Sequence, residues 1–331
     1  MRIFITGATG YIGQRVMARL LNQGHDIHAL CRRKPDGELF NNPRVKIFEG
    51  DVVNSQSVKE AISDCDQAYH IAAYSRIWAK DVKTFFETNV QGTTNVLEAA
   101  LLAGVKKVVV TSTGGTYGTS QGQLISETMV RLTDFFNEYE SSKFMAEEKV
   151  HAYVRRGLPV VIVNPVRVYG PGVLSESNAL SHLIKAYVTG NWHIIPGNGH
   201  TIGSYTYIDN VVEGHILAME KGVSGERYIL GGVNADFNTF FSTLRKISDR
   251  HFFLVRVPMA LMLLYGWKEE WLAKWFGIEP TITRKWIKKY SHDLACSSEK
   301  AITELGYTIT PLEEGIERTL TWIREDLRIY Y

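Results

Sequence analysis

Short apolar runs alternate with amphipathic stretches through the first half of the chain. Residues 2–6, Arg-Ile-Phe-Ile-Thr, predict a buried strand, and the stretch from Tyr11 to about Asn22 predicts a helix. Further strands are expected at Asp26–Cys31, Val45–Val52, Gln67–Ala73, Val105–Thr111 and Pro159–Asn164, with a long helix from about Val82 to Ala103. The expected fold is therefore α/β, a doubly wound parallel sheet followed by a smaller, mainly helical C-terminal domain.

Past about residue 170 the alternation is lost. Leu174–Gly190 predicts a helix, Trp192–Gly197 a short extended piece, and Tyr205–Asp209 leads into a helix ending near Lys221. The expected division is 1–170 as a nucleotide-binding domain, with roughly 201–232 packing back on it. Residues 171–200 and 233–331 then form a substrate domain built from separate segments. Trp267, Trp271 and Trp275 recur every fourth residue as a stripe on one helix face. That stripe is expected to be core or a contact between two copies, with a lid over substrate as the rival role. A last helix is expected with Thr310 at its cap, Pro311 at its first position and Glu313 closing a capping box. Its buried stripe would be Leu312, Ile316, Leu320, Ile323 and Leu327.

Between the first strand and the first helix stands Gly7-Ala8-Thr9-Gly10-Tyr11-Ile12-Gly13. Strand, glycine turn and helix in that order form a receiver for a dinucleotide. Gly7 allows the tight turn, Gly10 lets backbone approach a pyrophosphate, and Gly13 permits close helix packing. The free N–H groups of the helix N-terminus favour the anion. The end of the second strand bears on which dinucleotide. A carboxylate there would accept from the ribose of NAD; this chain has Cys31-Arg32-Arg33-Lys34 instead. Guanidinium groups suit a 2′-phosphate, so NADP is expected ahead of NAD, with Arg32 the leading contact and Arg33 the second. Asp51 and Val52 are expected at the adenine. The small pair Ala72-Ala73 would let backbone come close to the cofactor. Asn89, out of place in a helix interior, is expected to brace the site.

Tyr139 and Lys143 carry the candidate chemistry. Four positions apart, they sit one above the other on a helix face, and of the 16 tyrosines only this one has such a lysine. A free phenol titrates near ~10. An ammonium held close lowers that value, giving a general acid or base usable near neutral pH.

Composition narrows the class without choosing a reaction. The 331 residues are 45% hydrophobic and 22% charged, with a net charge of +2, ordinary for a globular chain and poor in the basic surface that nucleic acid requires. Cys31, Cys65 and Cys296 are scattered, which suits reduced thiols rather than a disulfide framework or a zinc site. The first residues lead directly into a strand, leaving no room for a signal peptide. The most apolar stretch, Phe252–Trp267, is too short to span a bilayer. A cytoplasmic protein without a membrane span or a metal is expected.

The ordered set of motifs resembles the extended short-chain dehydrogenase/reductase family, within the NAD-dependent epimerase/dehydratase superfamily, and more narrowly its dihydroflavonol 4-reductase-like branch. The matching residues are Thr6 to Gly13, Gly50-Asp51-Val52, His70 to Ala73, Asn89 to Thr93, and Thr111-Ser112-Thr113 with Tyr117-Gly118. Tyr139 with Lys143, Val163 to Gly172 and Gly225 to Gly232 complete the series. The resemblance implies a Rossmann fold whose glycine loop, with Thr9, Tyr11 and Ile12, holds the dinucleotide. It implies that Thr113, rather than Ser112, is the hydroxyl polarising a carbonyl beside Tyr139, and that Lys143 also hydrogen-bonds the nicotinamide ribose. Backbone just past Pro165, with Val168, would lie against the nicotinamide.

The function expected from this is NADPH-dependent reduction of a ketone or aldehyde, in a small and partly apolar molecule, to an alcohol. Ser75, Arg76, Trp78, His193 and Tyr205 are the candidate substrate contacts. His70 is expected to be a core histidine, and Arg167 a brace to a nearby carboxylate. The rival is an NAD-dependent nucleotide-sugar epimerase or dehydratase. Many such members carry an arginine where this chain has Gly203, which counts against it. A non-catalytic NADP-binding protein is a third reading, disfavoured by the intact Tyr139 and Lys143. A homodimer follows from family analogy alone.

Overall fold

The structure, a computed structural model, describes residues 1–325. The first half delivers β1 (Arg2–Thr6), α1 (Tyr11–Asn22), β2 (Asp26–Cys31), β3 (Val45–Glu49), α2 (Ser55–Ile62) and β4 (Gln67–His70). A helix then runs as α3 (Lys83–Phe86), a π turn at Glu87–Gln91, and α4 (Gly92–Leu102). It is followed by β5 (Lys107–Thr111), α5 (Glu138–Arg155), β6 (Val160–Pro165) and β7 (Arg167–Tyr169). The second half contributes α6 (Ala179–Val188), β8 (Ile194–Pro196), β9 (Ile202–Tyr207), α7 (Ile208–Lys221), β10 (Arg227–Leu230) and β11 (Val233–Asp236). Last come α8 (Phe237–Ser248), β12 (Val255–Val257), α9 (Met259–Phe276), α10 (Arg284–Tyr290) and α11 (Leu312–Glu325).

Seven strands form one sheet in the order β10-β6-β5-β4-β1-β2-β3, every pair parallel. Side chains alternate across a strand, and here each face meets its own core. Ile3 and Ile5 pack with Val16, Met17, Leu20 and Ile316 on one side. Phe4 packs with Val58, Val96, Leu97 and Val150 on the other. The chain reverses direction across the sheet between β1 and β4. The carboxyl ends of those strands open there into a crevice, where ligands of such sheets bind.

Several boundaries depart from the sequence expectation. Strand β3 stops at Glu49 and β4 at His70, so Gly50–Val52 and Ile71–Ala73 are loop and free to face a ligand. The helix expected at Leu174–Gly190 begins only at Ala179. β7 and β11 flank β9 in a three-stranded sheet that the pattern did not announce, and β12 pairs with β8.

The tryptophan stripe is a correction. Helix α9 turns Gly266 and Ala273 inward, where a Cβ on Gly266 would lie 2.7 Å from Ile287 of α10. Trp267, Trp271 and Trp275 remain 51%, 44% and 66% exposed, so they are not core. In α11, Leu312, Ile316, Leu320 and Ile323 are buried; Leu327 lies outside the described residues. The expected capping box does not close there. The Thr310 N–H donates to Asn210 Oδ1 at 3.0 Å, and Glu313 reaches Lys246 at 3.1 Å.

Candidate active site

The crevice above β1 and β4 is a cleft of about 1090 Å³. Its floor is the glycine turn. Gly7 has φ +73°, and a Cβ there would stand 2.6 Å from the Ala72 amide nitrogen. At Gly13 a Cβ would stand 2.0 Å from the Gly7 carbonyl. Both positions exclude any side chain, and they bring β1, α1 and the loop after β4 into contact. Thr9, Gly10, Ile12 and Gly13 line the cleft at the start of α1. Tyr11 lines it as well, but its hydroxyl donates to the Gly170 carbonyl at 3.0 Å, which fixes the ring.

At the far end Arg32 reaches the cleft from the end of β2; Arg33 is exposed and does not line it. Asp51 and Val52 also line this end, and Asp51 accepts from the Val53 N–H at 3.1 Å. Ala72, Ala73, Pro165 and Val168 form the walls. His70 is a core residue bridging Thr6 Oγ1 at 2.7 Å and Thr93 Oγ1 at 2.9 Å. Burial lowers its pKa to about 3, so it stays neutral.

Helix α5 starts because Asn137 caps it, accepting from the Glu140 N–H at 3.0 Å. This sets Tyr139 at the mouth of the first turn, facing the cleft, with Lys143 one turn further in. Thr113 follows β5 and caps a 3-10 turn, Gly114–Tyr117, accepting from the Gly115 N–H at 3.2 Å. Its hydroxyl also lies near enough to the Tyr139 phenol to favour the phenolate. The neighbouring Ser112 hydroxyl donates to Glu147 instead, so only one of the adjacent hydroxyls engages Tyr139.

The electrostatics differ from the sequence expectation in one respect. Burial pushes the Tyr139 phenol up to about 12, against the pull of the Thr113 hydroxyl, and Glu140 adds to the rise. Lys143 exerts no resolved pull on it. The lysine is itself brought down to about 8 by burial, with Glu147 acting in the opposite sense. The reason is desolvation: Lys143 is 1% exposed, and its ammonium has no hydrogen-bond partner. With its pKa near 8, the lysine has already lost its charge at the pH where the phenol titrates, so no ammonium is there to stabilise the phenolate.

Two buried carboxylates organise this region, and no local pattern announces either. Glu140 pairs with Arg131 at 2.9 Å and Lys289 at 3.1 Å. Glu147 accepts from Asn164 at 2.8 Å and Thr116 at 3.2 Å, and faces Arg227 at 3.3 Å. Their partners lie up to 149 positions away, so no local spacing could have exposed them.

Of the candidate substrate contacts, Ser75, Arg76 and Tyr205 line the cleft, while Trp78 and His193 do not. His193 is tied to the Gly190 and Phe253 carbonyls at 3.0 and 3.3 Å. Arg167, expected to brace a carboxylate, has none among the described residues. Its guanidinium lies 5.6, 5.3 and 5.5 Å from the ring centres of Tyr205, Phe237 and Tyr290. It fills the space over Gly203, where a Cβ would stand 2.2 Å from Nη1.

A family model described as the NAD dependent epimerase/dehydratase family matches residues 3–231. The chain belongs to that family. Among curated relatives, a putative dihydroflavonol 4-reductase of Synechocystis is 27% identical over 97% of this chain and 94% of its own. The crystal structure of gox2253 superposes with a TM-score of 0.83 at 31% identity, covering 99% of both chains. A UDP-glucuronic acid 4-epimerase from Bacillus cereus, in complex with UDP-glucuronic acid and NAD, gives a TM-score of 0.78 at 25% identity. It covers 98% of this chain and 99% of its own. As an epimerase/dehydratase family member, the chain is an enzyme acting at hydroxyl and carbonyl carbons with a nicotinamide dinucleotide.

The residues present fit that cofactor. The glycine turn leaves no side chain between backbone and ligand, and the partnerless Lys143 ammonium needs an acceptor that the chain does not provide. Among the described residues no cluster of His, Cys, Asp or Glu is placed to hold a metal ion, and no helix is long and apolar enough to cross a membrane.

Proposed function

We propose that the protein reduces a ketone or aldehyde to an alcohol with NADPH. The observation that carries this reading is the placement of the Thr113 hydroxyl beside the Tyr139 phenol on the cleft wall, with Arg32 at the opposite end. When bound, the dinucleotide supplies the hydride. Tyr139 gives its proton to the carbonyl oxygen as negative charge grows there. Thr113 donates a second hydrogen bond to the same oxygen, lowering the barrier by stabilising that charge. Lys143 holds the ribose and, once its ammonium has an acceptor, keeps the charge that favours proton release from Tyr139. Arg32 takes the 2′-phosphate.

A phenol held at about 12 remains protonated at neutral pH, the form a reductase needs at the start of each turnover. The epimerase reading rests on the likeness to the Bacillus cereus enzyme. It lacks support at position 203, where Arg167 overlies a glycine. The deciding experiment is to release and identify any dinucleotide from purified protein, then follow NADPH and NADH oxidation over a panel of ketones and aldehydes. Consumption of NADPH in preference to NADH supports the proposal. Retained NAD, with interconversion of a nucleotide sugar and no net oxidation, would overturn it.

A further inference from the structure

The half of the cleft beyond Tyr139 has a charge that the reduction does not use. Arg76, Arg167 and Lys289 line the cleft here, with Glu140 and Asp293 beside them and Arg131 behind on Glu140; Arg76 pairs with Glu279 at 3.2 Å. Arg131 and Lys289 are both committed to Glu140. Asp293 accepts from the Ile202 N–H at 2.8 Å and makes no ion pair with Arg167. Arg167 is therefore the cation left over, half-buried and lining the cleft.

Its surroundings hold it without satisfying it. A guanidinium carries five N–H donors, and one of them makes a long bond of 3.4 Å to the Tyr205 hydroxyl. The three rings around it hold the plane by cation–π attraction, and Tyr205 is itself stacked on Phe240 at 4.8 Å. Rings offer no lone pairs in the donor plane, so the edge of the fork remains without an anionic acceptor. Leu183, Phe241, Met262 and Trp286 give this half-cleft an apolar wall.

We propose that Arg167 anchors a carboxylate of the substrate, which makes the substrate class a keto acid with an aromatic or apolar body. A planar carboxylate matches the fork bidentately and restores the local charge balance, while the apolar wall receives the body. Gly203 is part of the device, because any side chain there would displace the guanidinium. The assignment of a keto group rests on the reductase reading; the assignment of the carboxylate does not.

The test uses 4-oxo-4-phenylbutanoate and its methyl ester, which share a ketone and a ring and differ in charge. Calorimetric titration of the dinucleotide-saturated protein is expected to give about tenfold or tighter binding of the acid. Arg167→Met should bring the acid-to-ester ratio close to one. Gly203→Ala, which keeps the arginine but pushes it aside, should do the same and serves if Arg167→Met folds poorly. Equal affinity for acid and ester, no binding of the acid, or a preference that survives in both variants would overturn the proposal. NADPH consumption is scored separately. An Arg167-dependent acid preference without turnover supports the anchor and counts against reduction. Turnover of acid and ester at equal kcat/KM sinks the anchor and leaves reduction standing.

Discussion

The side-chain amide of Asn89 donates to the Ser142 hydroxyl at 2.9 Å, fastening a π turn in one helix to the helix that carries Tyr139 and Lys143. The same side chain accepts from the Tyr74 N–H at 2.7 Å and donates to the Tyr74 carbonyl at 3.1 Å. One residue thus ties the loop after β4, the π turn and α5 into a single wall of the cleft. A π turn widens the helix by one residue and is often found at functional sites. Here it carries the residue that makes those three bonds. Asn89→Ala removes both of its hydrogen bonds to the Tyr74 backbone, and a loss of about 2–3 kcal/mol of stability is expected by denaturant unfolding. Ser142→Ala, which removes the bond from Asn89 and the hydroxyl's bond to the Tyr139 carbonyl, should cost less, and the double variant should cost less than the sum.

Replacing the proposed proton donor separates chemistry from binding. Tyr139→Phe is expected to lower kcat by about 10³-fold, within the usual range for general acid–base groups. Thr113→Ala should lower it by about 10²-fold, typical of a lost donor to a developing oxyanion. Dinucleotide affinity, read by fluorescence quenching, should move little in Thr113→Ala. Unchanged turnover in Tyr139→Phe would require a different acid.

Lys143 makes a prediction with opposite signs for stability and activity. Its folded pKa of about 8 lies below the ordinary lysine value, so between the two the unfolded chain binds more protons than the native one. Stability from this group therefore rises as pH climbs from about 8 toward ~10.4 and is at its lowest below that window. Lys143→Met should stabilise dinucleotide-stripped protein at pH 7 by on the order of 2 kcal/mol, with the advantage fading toward pH 10. The same variant should lose turnover. Thermal midpoints against pH for the two proteins check both halves; a destabilised variant at pH 7 would show that the ammonium is better satisfied than its contacts indicate.

Arg32 sets the cofactor choice if the reductase reading holds. Arg32→Gln should raise KM for NADPH by at least about tenfold while leaving NADH nearly untouched, as expected for loss of a charge-assisted contact to phosphate. Arg33→Gln should do much less, because Arg33 is exposed and away from the cleft. Equal effects on both dinucleotides would place the 2′-phosphate elsewhere.

The parallel sheet, the glycine turn and the Tyr139–Lys143 pair were legible in the amino-acid order alone. Each is written in neighbouring residues: continuous apolar runs, three glycines between a strand and a helix, and a four-residue spacing on one helix. Periodicity also found the tryptophan stripe, yet a stripe names one side of a helix without saying whether solvent or protein lies beside it. It took the packed chain to turn Trp267, Trp271 and Trp275 outward, to gather distant partners around Glu140 and Glu147, and to lay Arg167 over Gly203. Burial and charge pairing depend on what the rest of the chain brings near, and that same burial sets Tyr139 and Lys143 at values that their spacing did not foretell.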